Sequence, residues 1–170
     1  MFLTKPTHSI SKTTDIKMNW ISGECYYNAF ANKEKMEELF KRKFYVRIGG
    51  LGLSGFFEYG SKNPNDNNYK TKPRDSHAWL ESADGFIVDF TFSRYADVCE
   101  IRGLPIKFPI NKMVCGTRQM FKKKYGLEFV PATMKHQENI LRSMTETYEL
   151  RFQYNIMPRI ELSPKAIEFY

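Results

Sequence analysis

No apolar run in this chain of 170 residues approaches the roughly 18 that a bilayer-spanning helix needs. The opening Met1-Phe2-Leu3-Thr4-Lys5-Pro6 lacks an apolar stretch of signal-peptide length. That predicts a cytoplasmic protein, or one delivered into a host cell without a classical signal peptide. Cysteine is scarce. Three residues, an odd number, do not read as a secreted disulfide framework, so a reducing compartment is the simpler expectation. No Cys-x-x-Cys and no His/Cys pair has zinc-ligand spacing, so no metal is expected. No internal repeat is visible. One further absence is local: between Ile101 and Leu127 there is no Asp or Glu.

That local absence places the charge. The formal net charge is +7, and seven of the 26 Lys and Arg lie in the stretch: Arg102, Lys107, Lys112, Arg118, Lys122, Lys123 and Lys124. Taking those seven from 26 leaves 19 basic residues against 19 acidic ones. The basic segment 101–127 admits nucleic acid, an anionic membrane surface or an acidic protein as partner, and charge alone does not choose. Hydrophobic residues at 42% and charged residues at 26% exclude disorder of the whole chain. The length suits one domain with a sizeable core.

Residues 1–18, rich in Thr, Ser and Lys, read as an extended, partly mobile arm, and 19–170 as a single domain. From Tyr26 to Lys43 the periodicity is helical, with Ala29, Met36, Leu39, Phe40 and Phe44 as apolar positions. Phe44–Leu53 and Phe56–Tyr59 read as strands, and 60–74 as a loop. Ser76–Ser82 and Phe86–Thr91 form two strand-like runs around Ala83-Asp84-Gly85. Residues 92–110 read as irregular. Asn111–Tyr125 can be helical, though Gly116 weakens that reading. The last helix spans about Thr133–Asn155, where Ile140, Met144, Tyr148, Phe152 and Ile156 recur every four residues before Pro158.

Three residues fit one mechanism. Cys25 stands at the start of the first long helix, where free N–H groups and the macrodipole favour a thiolate. His77 lies on the first strand of the hairpin and Asp89 on the second. A cysteine nucleophile needs a base, and the base needs an orienting group. Register decides whether the hairpin delivers both. A two-residue loop, Asp84-Gly85, pairs Asp89 with Leu80 and puts it on the face opposite His77. A three-residue loop, Ala83-Asp84-Gly85, pairs Asp89 with Trp79 and makes His77 its diagonal neighbour. Three-residue hairpins favour a left-handed third residue, and Gly85 is there.

The segments Gly23-Glu24-Cys25-Tyr26-Tyr27-Asn28-Ala29-Phe30, Ser76-His77-Ala78-Trp79-Leu80-Glu81 and Asp84-Gly85-Phe86-Ile87-Val88-Asp89-Phe90-Thr91 resemble the transglutaminase-like branch of the papain-like cysteine enzymes. The match covers about residues 19–91. It implies an α+β fold with a papain-like core: a catalytic helix packed on an antiparallel sheet, with C-terminal helices over the remaining face. It implies Cys25 as nucleophile, His77 as general base and acid, and Asp89 as orienting group. Asn19, six residues before Cys25, stands where such enzymes often carry a glutamine oxyanion donor, and the Cys25 N–H would be the other donor. The chemistry implied is thiol-dependent acyl transfer or hydrolysis on a protein amide, with no cofactor: Gln deamidation, transglutamination or peptide cleavage. The resemblance makes a bacterial, phage or secreted-effector origin plausible.

The other candidates read more plainly. Trp79 is expected to cover the dyad, and Glu81 to be exposed or paired. Cys99 and Cys115 suit structural roles. His8 falls in the arm, and His136 suits a solvated or capping role. Gly50-Leu51-Gly52-Leu53-Ser54-Gly55 matches a dinucleotide-binding pattern, but Phe56-Phe57-Glu58-Tyr59 does not open a helix, so the glycines read as a bulge or a close backbone approach. Lys122, Lys123 and Lys124 read as a solvated helix face or as a docking surface for an acidic macromolecule such as a protein substrate. Two rival readings remain: a basic nucleic-acid-binding protein, and a partner-inhibiting interaction protein on a degenerate enzyme scaffold.

Overall fold

The structure, a computed structural model, describes residues 18–21, 23–53, 56–59, 76–91, 97, 99–101, 103–105 and 113–168. The expected arm up to residue 17, His8, the 60–74 loop, and Arg102, Lys107 and Lys112 lie outside the described residues. In chain order come helix α1 (Cys25–Phe40), strands β1 (Phe44–Leu53), β2 (Phe56–Tyr59), β3 (His77–Ser82), β4 (Phe86–Asp89) and β5 (Val114–Thr117), helix α2 (Arg118–Tyr125), strand β6 (Leu127–Pro131) and helix α3 (Met134–Gln153). The fold is α+β. The strands follow the path β2-β1-β3-β4-β5 with β6 also on β1, and the pairings are antiparallel.

Alternation along the strands makes two faces. Val46, Ile48, Ala78, Leu80 and Val88 point to one, where Tyr26, Tyr27, Ala29 and Met36 of α1 and Ile140, Leu141, Met144, Tyr148 and Phe152 of α3 complete the main apolar core. Each buried Val, Ile, Leu, Met or Phe among them contributes about 1.5–3 kcal/mol relative to exposure. Trp79 and Ile87 point to the other face, under Phe121 and Tyr125 of α2 and Leu127 and Phe129 of β6. Leu39, expected on the apolar stripe of α1, is exposed. The helix ends at Phe40, where Lys41 turns left-handed with φ of 52°.

β1 is the organising strand. Phe44–Gly49 pair with β3, while Gly49–Leu53 pair with β6. β2 also pairs with Leu51–Leu53, so β2 and β6 must hold opposite edges. Gly49 pairs with both His77 and Pro131, so β3 also lies across β1 from β6, and β2 and β3 follow one another along the same edge. A Cβ at Gly49 would lie 2.1 Å from the Val130 carbonyl oxygen, so only glycine fits. Gly50 and Gly52 lie within β1, and its register with β2 shifts between Leu51 and Gly52. That is the expected bulge.

Three expectations need correction. Asn111–Tyr125 is not one helix: Val114–Thr117 is a strand on β4, and α2 starts only at Arg118. Gly116 leaves room for the Met120 side chain, and the Thr117 hydroxyl caps α2 by accepting from the Met120 N–H. Leu127–Pro131, not anticipated at all, is a strand on β1. Ile156 does not continue the α3 stripe. It is 68% exposed, because the helix ends at Gln153 and Asn155 takes a positive φ of 51°.

Candidate active site

The hairpin adopts the three-residue loop. Leu80 pairs with Val88 and Glu81 with Ile87, Gly85 has φ of 80°, and its N–H donates to the Ser82 carbonyl at 2.9 Å. Ser82 adds a side-chain staple, its hydroxyl accepting from the Phe86 N–H at 3.1 Å. In this register His77 and Asp89 share a face, and His77 Nε2 lies 2.6 Å from Asp89 Oδ2, with both residues buried. An ionised carboxylate can only accept, so Nε2 carries the proton, and Nδ1 is the nitrogen left for the thiol. Thr91 completes the carboxylate: its N–H and hydroxyl both donate to Asp89 Oδ1, at 2.8 and 2.7 Å. The expected strand to Thr91 ends at Asp89, and Thr91 serves the site instead.

Cys25 is the first residue of α1 and is partly buried. Its thiol is within hydrogen-bonding reach of the His77 imidazole. The junction is set next door, where the Tyr26 hydroxyl bonds the Ser76 hydroxyl and so ties the first turn of α1 to the residue before His77. Burial alone would push the His77 pKa down, but the Asp89 carboxylate and its hydrogen bond, with a smaller contribution from Cys25, carry it up to about 10. Burial likewise opposes ionisation of Asp89. The imidazolium and the Thr91 donors outweigh it and hold that carboxyl below its ordinary value.

Trp79 is fully buried and stacks on His77, with ring centroids 5.9 Å apart and planes 20° apart. Its indole N–H donates to Glu81 Oε2 at 3.0 Å. Glu81, expected exposed or paired, is buried and paired: Arg118 Nε and Nη2 fork onto its two oxygens, each at 2.7 Å. The third Arg118 nitrogen, Nη1, donates to the Phe129 carbonyl. Arg118 is thus a structural member of the basic segment, joining α2 to Trp79. Lys122, Lys123 and Lys124 stand exposed on α2, with Lys122 Nζ 2.7 Å from Glu128.

Asn19 is exposed, and its backbone carries its described bonds. The N–H donates to Asn32 Oδ1 at 3.1 Å, and the carbonyl accepts from Asn32 Nδ2 at 2.8 Å. Asn28 clamps Ile21 in the same two-way manner, at 2.8 and 2.9 Å. Trp20 Nε1 donates to the Phe90 carbonyl at 2.8 Å, between Asp89 and Thr91. Residues 19–21 are therefore laid across the start of α1 and the end of β4. Asn28 and Asn32, two buried amides one helical turn apart, were the sequence signal for this clamp.

Cys99 is buried, and burial pushes the partly buried Cys115 thiol up to about 11, which leaves it a poor nucleophile at neutral pH. His136 bonds the Thr133 hydroxyl at the start of α3, a capping role. Among the described residues no three His, Cys, Asp or Glu stand together as a metal site, and no helix is long and apolar enough to cross a membrane. A cleft of about 370 Å³ between Thr145, Glu149 and Phe152 of α3 and Arg159–Leu162 includes none of Cys25, His77 and Asp89. Comparison of the chain with protein-family models, curated proteins and solved structures gave no match.

Proposed function

We propose that this protein is a cysteine-nucleophile hydrolase or acyltransferase with a transglutaminase-like core, acting on a protein or peptide amide. One observation carries the reading: a buried His77–Asp89 pair at 2.6 Å, with the Cys25 thiol in reach at a helix N-terminus. The raised imidazole pKa keeps a proton on His77 through the neutral range, ready for the leaving nitrogen. In the proposed cycle the Cys25 sulfur attacks the amide carbon and the C=O pair moves to oxygen. The Cys25 N–H, and the Asn19 side chain if substrate draws it in, stabilise that oxyanion. His77 then gives its proton to the departing nitrogen as the C–N bond breaks, leaving a thioester. Water or an amine, deprotonated by His77, attacks the thioester and returns the thiolate.

Water with a Gln side chain gives deamidation, water with a backbone amide gives cleavage, and an amine gives a cross-link. The test is incubation of the full chain and of Cys25→Ala with candidate partner proteins, read by mass spectrometry for these three products. A product formed by the wild type and absent with Cys25→Ala is the expected result. Full activity in Cys25→Ala overturns the proposal. A second reading rests on the exposed Lys122-Lys123-Lys124 run, as a nucleic-acid-binding surface. Binding that ignores Cys25→Ala yet falls steeply with salt would favour it.

A further inference from the structure

The residue before the proposed nucleophile is an acid. Glu24 holds the N-cap position of α1, yet its side chain makes no capping bond. Its carboxylate turns to α3 instead. Oε1 accepts from Arg151 Nη1 at 2.7 Å and Oε2 from the Tyr148 hydroxyl at 2.9 Å. The Tyr148 oxygen in turn accepts from the Tyr27 N–H at 3.3 Å, one of the donors a helix start leaves unpaired. The Arg151 guanidinium lies over the Tyr148 ring, 5.4 Å from its centroid.

This arrangement resolves a conflict. An acid at a helix N-terminus favours the helix, but a carboxylate beside a thiolate opposes it by like-charge repulsion. Tyr148, fully buried, feels the charges of both Glu24 and Cys25, so clamp and thiol share one environment. Among the described residues, His77 from β3, backed by Asp89 from β4, and Tyr148 from α3 interact with Cys25, and Glu24 with its Arg151 partner is its neighbour in the chain.

We propose that Arg151 and Tyr148 are positioning residues for Cys25: Arg151 cancels the Glu24 charge that would otherwise oppose the thiolate, and the Tyr148 hydroxyl fixes the first turn of the helix that carries it. This rests on Cys25 being the nucleophile. The test is alkylation of the full chain at neutral pH with anionic iodoacetate and with neutral iodoacetamide, Cys25 being quantified by mass spectrometry. The ratio of the two rates cancels losses of thiolate or of access and reports local charge. Arg151→Gln is expected to slow both reagents and to lower the iodoacetate-to-iodoacetamide ratio about three- to fivefold, the scale of a partly exposed ion pair. The double variant Glu24→Gln/Arg151→Gln restores the ratio, Arg151→Lys keeps it, and about 0.5 M salt shrinks the difference. Tyr148→Phe keeps the ring and the core, and is expected to slow both reagents with little change in ratio.

An unchanged ratio in Arg151→Gln beside a reactive wild-type Cys25 overturns this inference alone. So does a double variant no closer to wild type than Arg151→Gln. A wild-type Cys25 that reacts no faster in the folded chain than in urea overturns the proposed function and this inference together.

Discussion

The two faces of the sheet are built from the same strands and could hardly differ more. Toward α1 and α3 the strands send Val46, Ile48, Ala78, Leu80 and Val88 into an apolar core. Toward α2 they send His77, Trp79, Glu81 and Asp89, three of which can carry charge, and all four are buried. The polar face is tolerable because each group is matched: Asp89 by His77 and two Thr91 donors, Glu81 by Arg118 and the Trp79 N–H. One face supplies bulk stability and the other holds the groups of the proposed chemistry, and a period of two keeps them apart. The three-residue turn at Ala83-Asp84-Gly85 holds that separation, since a slip of one residue would exchange the faces. Cys25 reaches the polar face from a helix on the apolar one, by way of the end of β3 at Ser76.

The largest expected effect breaks the faces apart. Asp89→Asn is nearly isosteric and should lower turnover about 10³–10⁴-fold, by analogy with the serine-protease triad, in which that change leaves the histidine in the wrong tautomer. Leu80→Ala on the other face should cost about 2–5 kcal/mol of stability, yet leave Cys25 alkylation and turnover near wild type at temperatures where the variant stays folded. Denaturant unfolding and single-turnover rates check both, and equal catalytic loss in the two variants would erase the division of labour. Gly49→Ala tests the place where β1 is flanked by both β3 and β6. The new methyl would meet the Val130 carbonyl oxygen at 2.1 Å and the Ala132 nitrogen at 2.8 Å, both backbone, so β6 must move. A loss of about 3 kcal/mol is expected, the upper end of overpacking. Hydrogen exchange should rise first in β6, whose Phe129 ring lies 6.2 Å from the His77 ring.

A pH series separates the faces by slope. The His77 pKa is raised in the fold, so its contribution to stability is complete below the unfolded value of about 6.5. That contribution is lost as pH rises through about 10. Asp89, lowered in the fold, contributes above the ordinary carboxyl range and loses that contribution as pH falls through its folded value. Urea midpoints should therefore decline between pH 7 and above 10 more steeply in the wild type than in His77→Gln. Leu80→Ala should shift the whole curve down without changing its slope. Parallel curves for wild type and His77→Gln would mean that the pair does not hold its proton as the geometry implies.

What could be read from the sequence follows the range of the forces involved. β1 and β2 carry the bounds expected for them, and the His77–Asp89 register followed from the turn alone, because Gly85 takes the left-handed conformation that sets the loop length. These are local effects. β5 and β6 were illegible because their partners are remote: β6 pairs with β1 across nearly half of the chain, and β5 is four residues long with a glycine inside. The clamp on Cys25 was hidden in the same way, since Glu24 and Arg151 are 127 residues apart. Tyr148 was legible as a core position on the α3 stripe, but nothing local showed that its hydroxyl would meet Glu24.

The smallest expected effect concerns the charge that first set this sequence apart. Arg118 is committed to Glu81, so of the described basic residues in 101–127 the surface role falls to Lys122, Lys123 and Lys124. Lys122 is already engaged with Glu128 at 2.7 Å, an exposed pair, and such pairs contribute little. Neutralising all three to Gln should leave stability nearly unchanged, and the iodoacetamide rate of Cys25 should not change. Binding of an acidic protein partner should weaken, with a shallower salt dependence than the wild type. Arg118→Gln should behave in the opposite way, loosening α2 from Trp79 and disturbing the site while leaving the outer face of α2 charged. If the triple lysine variant slows Cys25 as much as Arg118→Gln does, the helix acts as a structural part of the active face, and the docking surface must be sought elsewhere.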